Sequence, residues 1–265
     1  MTLHADIAKS AKSAQGALSA QSASPRPLRA PAMRQLLLDL GHEAVPDLDA
    51  FLPGANAEAL AWLQAWPAHD GPLSPLYLWG PSGVGKTHLL RAMVERALAL
   101  GFGVVWLNAQ TCQMWDGPQP ESPTLALIDD CERLDAEAQH LAFKLFIESA
   151  AAASAEAPPL FIFAAGQVPS VDLPVRDDLR TRLGWGLSFA LQPLDDAGLR
   201  HALQQEAERR GMALSEDVLA HLLTRHQRDL GSLMGMLDRL DRYALSAHRV
   251  VTVPLIKEML AAEPA

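Results

Sequence analysis

The chain has 265 residues, which is enough for one large domain or two small ones. Apolar residues make up 49% of it, so it can bury an ordinary core, and no stretch approaches the roughly eighteen consecutive apolar residues of a membrane span. The formal charge of −9 argues against an extended surface for duplex DNA, because such surfaces neutralise phosphates with clustered Lys and Arg. Cys112 and Cys131 show no metal-ligand spacing, so we expect a soluble protein of the reducing cytoplasm with both thiols in or near its core.

Residues 1–32 differ in composition from the rest of the chain. They are rich in Ala and Ser, and their basic residues face a single acidic residue, Asp6. The segment lacks the apolar run of a secretory signal, and a transit peptide is the alternative in a eukaryote. Its composition predicts a disordered tail that buries too little surface to fold. Met33, which follows directly, is the expected true start.

From residue 57 onward the hydrophobic pattern predicts alternating helices and strands. Apolar runs typical of buried strands occupy 76–79, 104–107, 125–128, 160–164 and 187–191. Helical patterns occupy 57–66, 86–100, 136–149, 195–210, 215–225, 230–246 and 254–261. Short apolar strands between helices indicate an α/β fold, a parallel sheet with helices on both faces. The expected domains are this α/β domain over 46–192 and a small all-helical lid over 193–265.

Most tryptophans fall at predicted strand or helix positions. Such large side chains contribute strongly to a core when they are buried. We therefore expect the following residues in the core: Trp62, Trp66, Trp79, Trp106 and Trp185.

A glycine-rich segment directly after the first predicted strand matches the pattern GxxxxGK[ST] in full. It opens a predicted helix and reads Gly80-Pro81-Ser82-Gly83-Val84-Gly85-Lys86-Thr87. In such a loop backbone amides surround phosphate oxygens, Lys86 reaches the β- and γ-phosphates, and the Thr87 hydroxyl can bind Mg²⁺. The motif in this context predicts a site for ADP or ATP with Mg²⁺ rather than a plain strand-to-helix turn. We also expect His88, the next residue, at this site.

Two carboxylates follow the third predicted strand. A buried strand ending in Asp129 places that carboxylate beside the Mg²⁺ shell of a P-loop. Asp130 is the candidate for orienting an attacking water, although AAA+ ATPases usually carry a longer Glu there. The alternative is that the acidic pair forms only a solvated turn. A P-loop domain followed by a helical lid is the layout of AAA+ proteins.

The segment from Gly85 to Leu89, Gly-Lys-Thr-His-Leu, resembles the DnaA replication-initiator branch of the AAA+ family. The resemblance extends from about residue 33 to residue 260. It implies that residues 51–56 pack near the adenine. Residues 178–186 resemble the arginine-finger segment of the family, which implies that Arg182 is the finger. Arg180 is the second candidate and is expected to face solvent.

Other features narrow the choice among DnaA-related proteins. Initiators of this branch carry further interaction and helix-turn-helix domains and an extra helical element between the second and third strands. This chain has no room for those domains and has only a short Pro-rich connection at 109–124. The combination is similar to the Hda proteins, DnaA-related regulators that switch the initiator off. That resemblance implies a DnaA-type initiator as partner and no sequence-specific DNA binding; no membrane partner is expected, and self-association is left open.

The Hda resemblance also gives a meaning to residues 35–40, which read Gln-Leu-Leu-Leu-Asp-Leu. Hda proteins carry an N-terminal peptide of the form Gln-Leu-x-Leu-x-Leu that binds the DNA sliding clamp. Read alone, the segment is more typical of a core strand or helix. A Gln amide with spaced leucines suits an extended peptide bound in an apolar cleft. The matching residues are Gln35, Leu36, Leu38 and Leu40, and Asp39 stands where Pro is common.

Two nucleotide-sensing positions depart from the AAA+ pattern. Gly231 stands where the lid arginine is expected, and Arg228 is out of helical phase for that role. At the end of the fourth strand, Ala165 and Gln167 replace the polar residues of relatives. We therefore expect nucleotide binding with weak intrinsic hydrolysis, and an arginine finger that acts in trans on ATP bound to the initiator. The alternatives are an autonomous ATPase of the helicase-loader or remodelling type, and an adaptor independent of nucleotide.

Overall fold

The computed structural model describes residues 46–68, 74–110, 122–154, 157–225 and 229–262. The predicted tail over 1–32, the alternative start at Met33 and the predicted clamp peptide over 33–45 lie outside the described residues.

A parallel sheet forms the centre of the first domain. Within the described residues its five strands are β1 (Leu76–Trp79), β2 (Gly103–Leu107), β3 (Thr124–Ile128), β4 (Leu160–Gly166) and β5 (Leu187–Ala190). They lie in the order β2-β3-β4-β1-β5, and every pairing is parallel. The carboxyl ends of β1, β3 and β4 therefore lie side by side at one edge of the sheet, where parallel α/β folds bind ligands.

Helices cover both faces of this sheet, as the near-continuous apolar strands require. They are α1 (Ala57–Ala65), α2 (Lys86–Ala99), α3 (Ala136–Ser154) and α4 (Asp177–Leu183). One core contains residues of α1 and α2 with one face of the strands, and a second contains residues of α3 and α4 with the opposite face. The predicted fold class is confirmed. Cys131 is fully buried in the second core, and Cys112 lies outside the described residues.

The C-terminal region is helical and has a core of its own. Its helices are α5 (Asp196–Arg209), α6 (Glu216–Arg225), α7 (Leu230–Ala247) and α8 (Val253–Ala262), and their apolar faces form one cluster. Asp195 and Asp229 cap α5 and α7 by accepting from the backbone N–H three residues later. In the described parts of the chain, none of the helices is long and apolar enough to cross a bilayer.

The predicted elements and the observed ones differ at a few places. β4 continues to Gly166 and α3 continues to Ser154, beyond their predicted ends at 164 and 149. The prediction that Trp185 lies in the core is wrong, because this side chain is 64% exposed. It follows the end of α4, where Gly184 closes the last turn through a bond from its N–H to the Arg180 carbonyl, so Trp185 belongs to a connection rather than to a packed helix face.

A buried amide joins the start of the domain to the segment that leads into the lid. Asn56 is only 5% exposed, and its side chain donates to the Gln192 carbonyl (2.9 Å) and accepts from the Gln192 N–H (2.7 Å). One side chain thus provides hydrogen-bond partners for both backbone groups of Gln192, and an alanine at position 56 would provide neither.

We therefore expect Asn56→Ala to lower the free energy of unfolding by about 1–3 kcal/mol, since two buried polar groups lose their partner. Urea unfolding followed by circular dichroism measures this loss. Gln64→Ala is the control, since Gln64 makes a long, exposed side-chain contact of 3.4 Å to Asp49. Equal stability of Asn56→Ala and the unsubstituted chain would contradict the structural role of the amide.

Candidate functional site

The glycine-rich segment joins β1 to α2 at the carboxyl edge of the sheet. Gly80, Gly83 and Gly85 all have positive φ angles, +152°, +78° and +94°, which L side chains rarely adopt. This backbone turns sharply, and α2 begins at Lys86. The turn leads directly into a helix N-terminus, which carries the free N–H groups and the favourable partial charge that bind phosphate.

Lys86 is folded onto the loop that precedes it. Its Nζ donates to the carbonyls of Gly80 and Pro81, at 2.8 Å each, and the residue is 7% exposed. Burial lowers the pKa of Lys86, and the nearby carboxylates of Glu132, Asp129 and Asp130 oppose that shift. The ammonium group therefore lies within the curve of the loop and has acidic neighbours in the segment that follows β3.

Asp129 lies directly beyond β3 and is 5% exposed. Its carboxylate accepts from the Asp130 N–H (3.0 Å) and from the Thr87 side chain. The structure thus brings together the residue pair that the sequence assigns to Mg²⁺, one hydroxyl and one carboxylate. Oxygen donors of this kind fit a hard cation such as Mg²⁺. When bound, the ion would neutralise phosphate charge next to Lys86.

Burial raises the pKa of Asp129, an effect that its bond from Thr87 partly offsets. A raised pKa in the folded state means that the folded chain holds this proton more tightly than the unfolded chain does. The free protein therefore loses stability as the pH rises from the ordinary aspartate range through the raised pKa. At higher pH Asp129 is fully charged, and the whole of this loss of folding stability remains.

We therefore expect Asp129→Asn to raise the melting temperature of the nucleotide-free protein at neutral pH, while abolishing any Mg²⁺ dependence of nucleotide binding. The gain should shrink as the pH falls to about 4, because the aspartate is then protonated. Thermal unfolding between about pH 4 and pH 8 tests this, with the exposed Asp172→Asn as control. A variant that is less stable than the parent at every pH would refute the reasoning.

Asp130, the predicted water-positioning residue, is oriented by a turn. Its backbone is left-handed (φ 49°), and its half-exposed carboxylate pairs with Arg133 of the next turn at 3.6 Å. Sequence reasoning did not select Glu132. Of the three carboxylates that oppose the lowering of the Lys86 pKa, Glu132 has the largest effect.

The carboxylate of Glu132 reaches the end of β4. Its Oε2 accepts from the Gln167 N–H (3.2 Å), and its Oε1 is buried and lacks a partner among the described residues. Glu132 lies in the short 3-10 helix Cys131–Arg133, and the hydrophobic pattern gives no signal for its approach to β4. Gln167, one of the altered sensor positions, thus donates its N–H to a carboxylate.

His88 is oriented toward the segment that precedes the sheet. Its Nε2 lies 3.2 Å from the Asp47 carbonyl, and its ring stacks on Phe51 with centroids 6.2 Å apart. The Phe51 ring in turn covers Gly85, where an added Cβ would come within 2.7 Å of it. The segment that the DnaA resemblance places near the adenine therefore contacts the P-loop.

The lid contacts the P-loop at Gly83. An added Cβ on Gly83 would come within 2.5 Å of the Asp229 carboxylate, the N-cap of α7. Gly231, in the first turn of α7, lies on the same side, with its Cβ position 3.8 Å from the Gly83 Cα. Asp229 and Gly231 are thus lid residues that face the phosphate loop, and Arg228 lies outside the described residues.

The arginines of α4 differ in what they contact. Arg180 donates to the carbonyls of Leu173 (3.1 Å) and Val175 (2.8 Å), so the expectation that it faces solvent is wrong. It fastens α4 to the preceding turn. Arg182 instead places its guanidinium 4.1 Å from the ring centroid of Trp185, is partly buried, and forms no ion pair with the described residues.

Solved structures with this architecture include AAA+ proteins of DNA metabolism. Domain III of the replication initiation protein DnaA from Thermotoga maritima matches with a TM-score of 0.66 at 20% identity, over 82% of this chain and 96% of that one. AMPPCP-bound DnaA from Aquifex aeolicus gives 0.58 at 19% identity, over 76% and 73%. The Thermotoga maritima RuvB Holliday junction branch migration motor gives 0.61 at 16% identity, over 82% and 71%. At these identities the likeness establishes the fold.

The lid carries the more specific match. Residues 195–260 match the family described as "Hda, lid domain". The described chain has the fold of these AAA+ proteins, and its lid is similar to the Hda lid domain. The contact between Gly83 and Asp229 therefore joins the P-loop of an AAA+ domain to the Hda-type lid at the N-terminus of α7. An arginine on α7 is the expected lid contribution to an AAA+ site, and Gly231 in the first turn offers only backbone.

Proposed function

We propose that this DnaA-related AAA+ protein is a negative regulator of DNA replication initiation. It binds a DnaA-type initiator and stimulates hydrolysis of the ATP that the initiator holds, by supplying Arg182 as an arginine finger in trans. The initiator is thereby converted to its ADP form. The observation that carries the proposal is the placement of Arg182, which is partly buried against Trp185 and forms no ion pair with the described residues.

The contrast with neighbouring arginines supports this role. Arg176 pairs with Asp178, and Arg180 is bound to two carbonyls and to Asp177. Their charges are already compensated within the chain, whereas the charge of Arg182 is available to an anion. A guanidinium delivered to a γ-phosphate stabilises the charge of the transition state, an effect on the order of 10³–10⁵ in GTPase systems.

The chain's own nucleotide has a structural role in this proposal. Lys86, Thr87 and Asp129 bind ADP or ATP with Mg²⁺, and the intrinsic hydrolysis rate is low. Three features support a low rate of hydrolysis. Asp130 is paired with Arg133, and Gly231 has no side chain to offer the nucleotide. At the sensor position, Glu132 accepts a hydrogen bond from the Gln167 N–H. Because Gly83 of the P-loop lies against Asp229 and Gly231 of the lid, nucleotide held by these residues would couple the P-loop to the lid.

A peptide at the N-terminus brings the protein to DNA in the cytoplasm. Gln35, Leu36, Leu38 and Leu40 bind the DNA sliding clamp as an extended peptide in an apolar cleft. A clamp loaded on DNA raises the local concentration of the regulator near newly replicated DNA, which strengthens a weak contact with the initiator without any new interface.

A reconstitution tests the proposal. The purified full chain, with ADP and a clamp loaded on DNA, is added to ATP-bound DnaA-type initiator, and the conversion of labelled ATP to ADP is followed. We expect stimulation that requires both the chain and the loaded clamp. A double Leu36→Ala, Leu38→Ala variant should no longer bind the clamp. It should therefore lose most of the stimulation, and the loaded clamp should make no difference to the stimulation that remains. Absence of stimulation with the intact chain would refute the regulator and favour the adaptor or autonomous ATPase alternatives.

A further inference from the structure

Trp185 combines high exposure with a defined contact. Its side chain is 64% exposed, although burial of an indole is strongly favourable in folding. The guanidinium carbon of Arg182 lies 4.1 Å from the ring centroid, within the range of a cation–π contact. An exposed tryptophan is uncommon, and this one is in direct contact with the proposed arginine finger.

The backbone around Trp185 is fixed, although its side chain is exposed. The Trp185 N–H donates to the Arg182 carbonyl (3.2 Å), so the two residues share one turn. At Gly186 a Cβ would lie 1.7 Å from the Pro75 carbonyl oxygen, and the next N–H, of Leu187, donates to that same oxygen (2.9 Å). The indole therefore projects from a short connection anchored against the start of β1.

A free arginine side chain loses considerable rotamer entropy when it is immobilised. An ion pair could immobilise it, but a carboxylate would compensate the charge that the finger must deliver. An aromatic face holds the planar guanidinium without an anion. The stack thus orders the side chain before a partner arrives and leaves its charge and N–H donors available.

We propose that Trp185 is a positioning residue for Arg182: its indole holds the guanidinium ordered and uncompensated, ready for the triphosphate of the docked initiator. This inference rests on the proposed function. It assigns Trp185 a role in the hydrolysis step after docking, so its loss lowers the maximal stimulated rate rather than the affinity for the initiator. The scale of an exposed cation–π contact corresponds to a decrease of about two- to fivefold.

Stimulated hydrolysis is measured over a range of concentrations of the full chain, for Trp185→Ala, Trp185→Phe and the control Val171→Ala. Val171 is exposed (72%) and apolar, and it lies in the short 3-10 helix Ser170–Asp172, outside α4. We expect Trp185→Ala to lower the maximal rate by about two- to fivefold with an unchanged half-saturating concentration. Trp185→Phe should recover most of this loss, and Val171→Ala should behave like the parent. A higher half-saturating concentration with an unchanged maximal rate would make Trp185 a docking residue and overturn the proposal.

A second measurement uses the chain alone. The Arg182 Nε–H proton lies near an indole face, so its NMR resonance should be shifted by the ring current, and the shift should disappear in Trp185→Ala. An unchanged resonance overturns the stacking whether or not hydrolysis is stimulated. If the resonance moves but the unsubstituted chain stimulates nothing, the proposed function has failed and the positioning role fails with it, while the contact itself stands.

Discussion

An Arg182→Ala variant is expected to lose its stimulation of initiator-bound ATP hydrolysis while retaining its fold, its nucleotide and its clamp binding. Arg182 is partly buried, and among the described residues the substitution removes its cation–π contact with Trp185. Its removal should therefore cost little stability. The loss of stimulated rate should be on the order of 10³-fold or more if the guanidinium compensates transition-state charge, as it does in GTPase systems.

The matched control is Arg176→Ala. Arg176 precedes the same helix and is exposed, but it pairs with Asp178. Surface pairs of this kind contribute little to stability, so this variant should stimulate hydrolysis like the parent. Arg180→Ala is a less suitable control, because it removes bonds to the Leu173 and Val175 carbonyls and should destabilise α4. If Arg182→Ala stimulates at the parental rate in single-turnover measurements, the trans-finger mechanism is wrong.

The fold could be predicted from the sequence because its strands are short, apolar and bounded by clear helical patterns. The predicted 76–79 strand is β1, and the predicted start of α2 is the residue observed, since the GxxxxGK[ST] pattern fixes both the turn and the helix N-terminus. The C-terminal ends of some elements were harder to predict from the sequence. Ala-rich α3 continues to Ser154 because alanine favours a helix without giving a strong periodic signal.

The candidate site was predictable where spacing along the chain determines geometry. Thr87 and Asp129 meet because the P-loop after β1 and the end of β3, which are separated only by β4, share one edge of the sheet. Glu132 was missed because its approach to Gln167 depends on the left-handed turn at Asp130, which periodicity does not report. The exposure of Trp185 was missed for a related reason: it lies in a connection, where the hydrophobic pattern carries no information about which side chains are covered.

Replacing Lys86 with alanine should separate nucleotide-dependent regulation from simple bridging. Lys86 Nζ is buried against the Gly80 and Pro81 carbonyls, at the position from which it would donate to phosphate oxygens. Loss of charge-assisted bonds to phosphate should weaken ADP binding by roughly 10- to 100-fold. Titration calorimetry with Mg·ADP measures this directly, and Lys144→Ala, at an exposed position on α3, is the control.

The same variant then enters the reconstitution with clamp and initiator. If nucleotide joins the P-loop to the lid near Gly83 and Asp229, Lys86→Ala should lose stimulation at ADP concentrations that saturate the parent. Raising ADP by the factor lost in affinity should then restore it, because the finger itself is intact. Full stimulation by Lys86→Ala without bound nucleotide would mean that the AAA+ site is not used. In that case the chain would act on the initiator independently of its own phosphate loop, even if Arg182 remained essential.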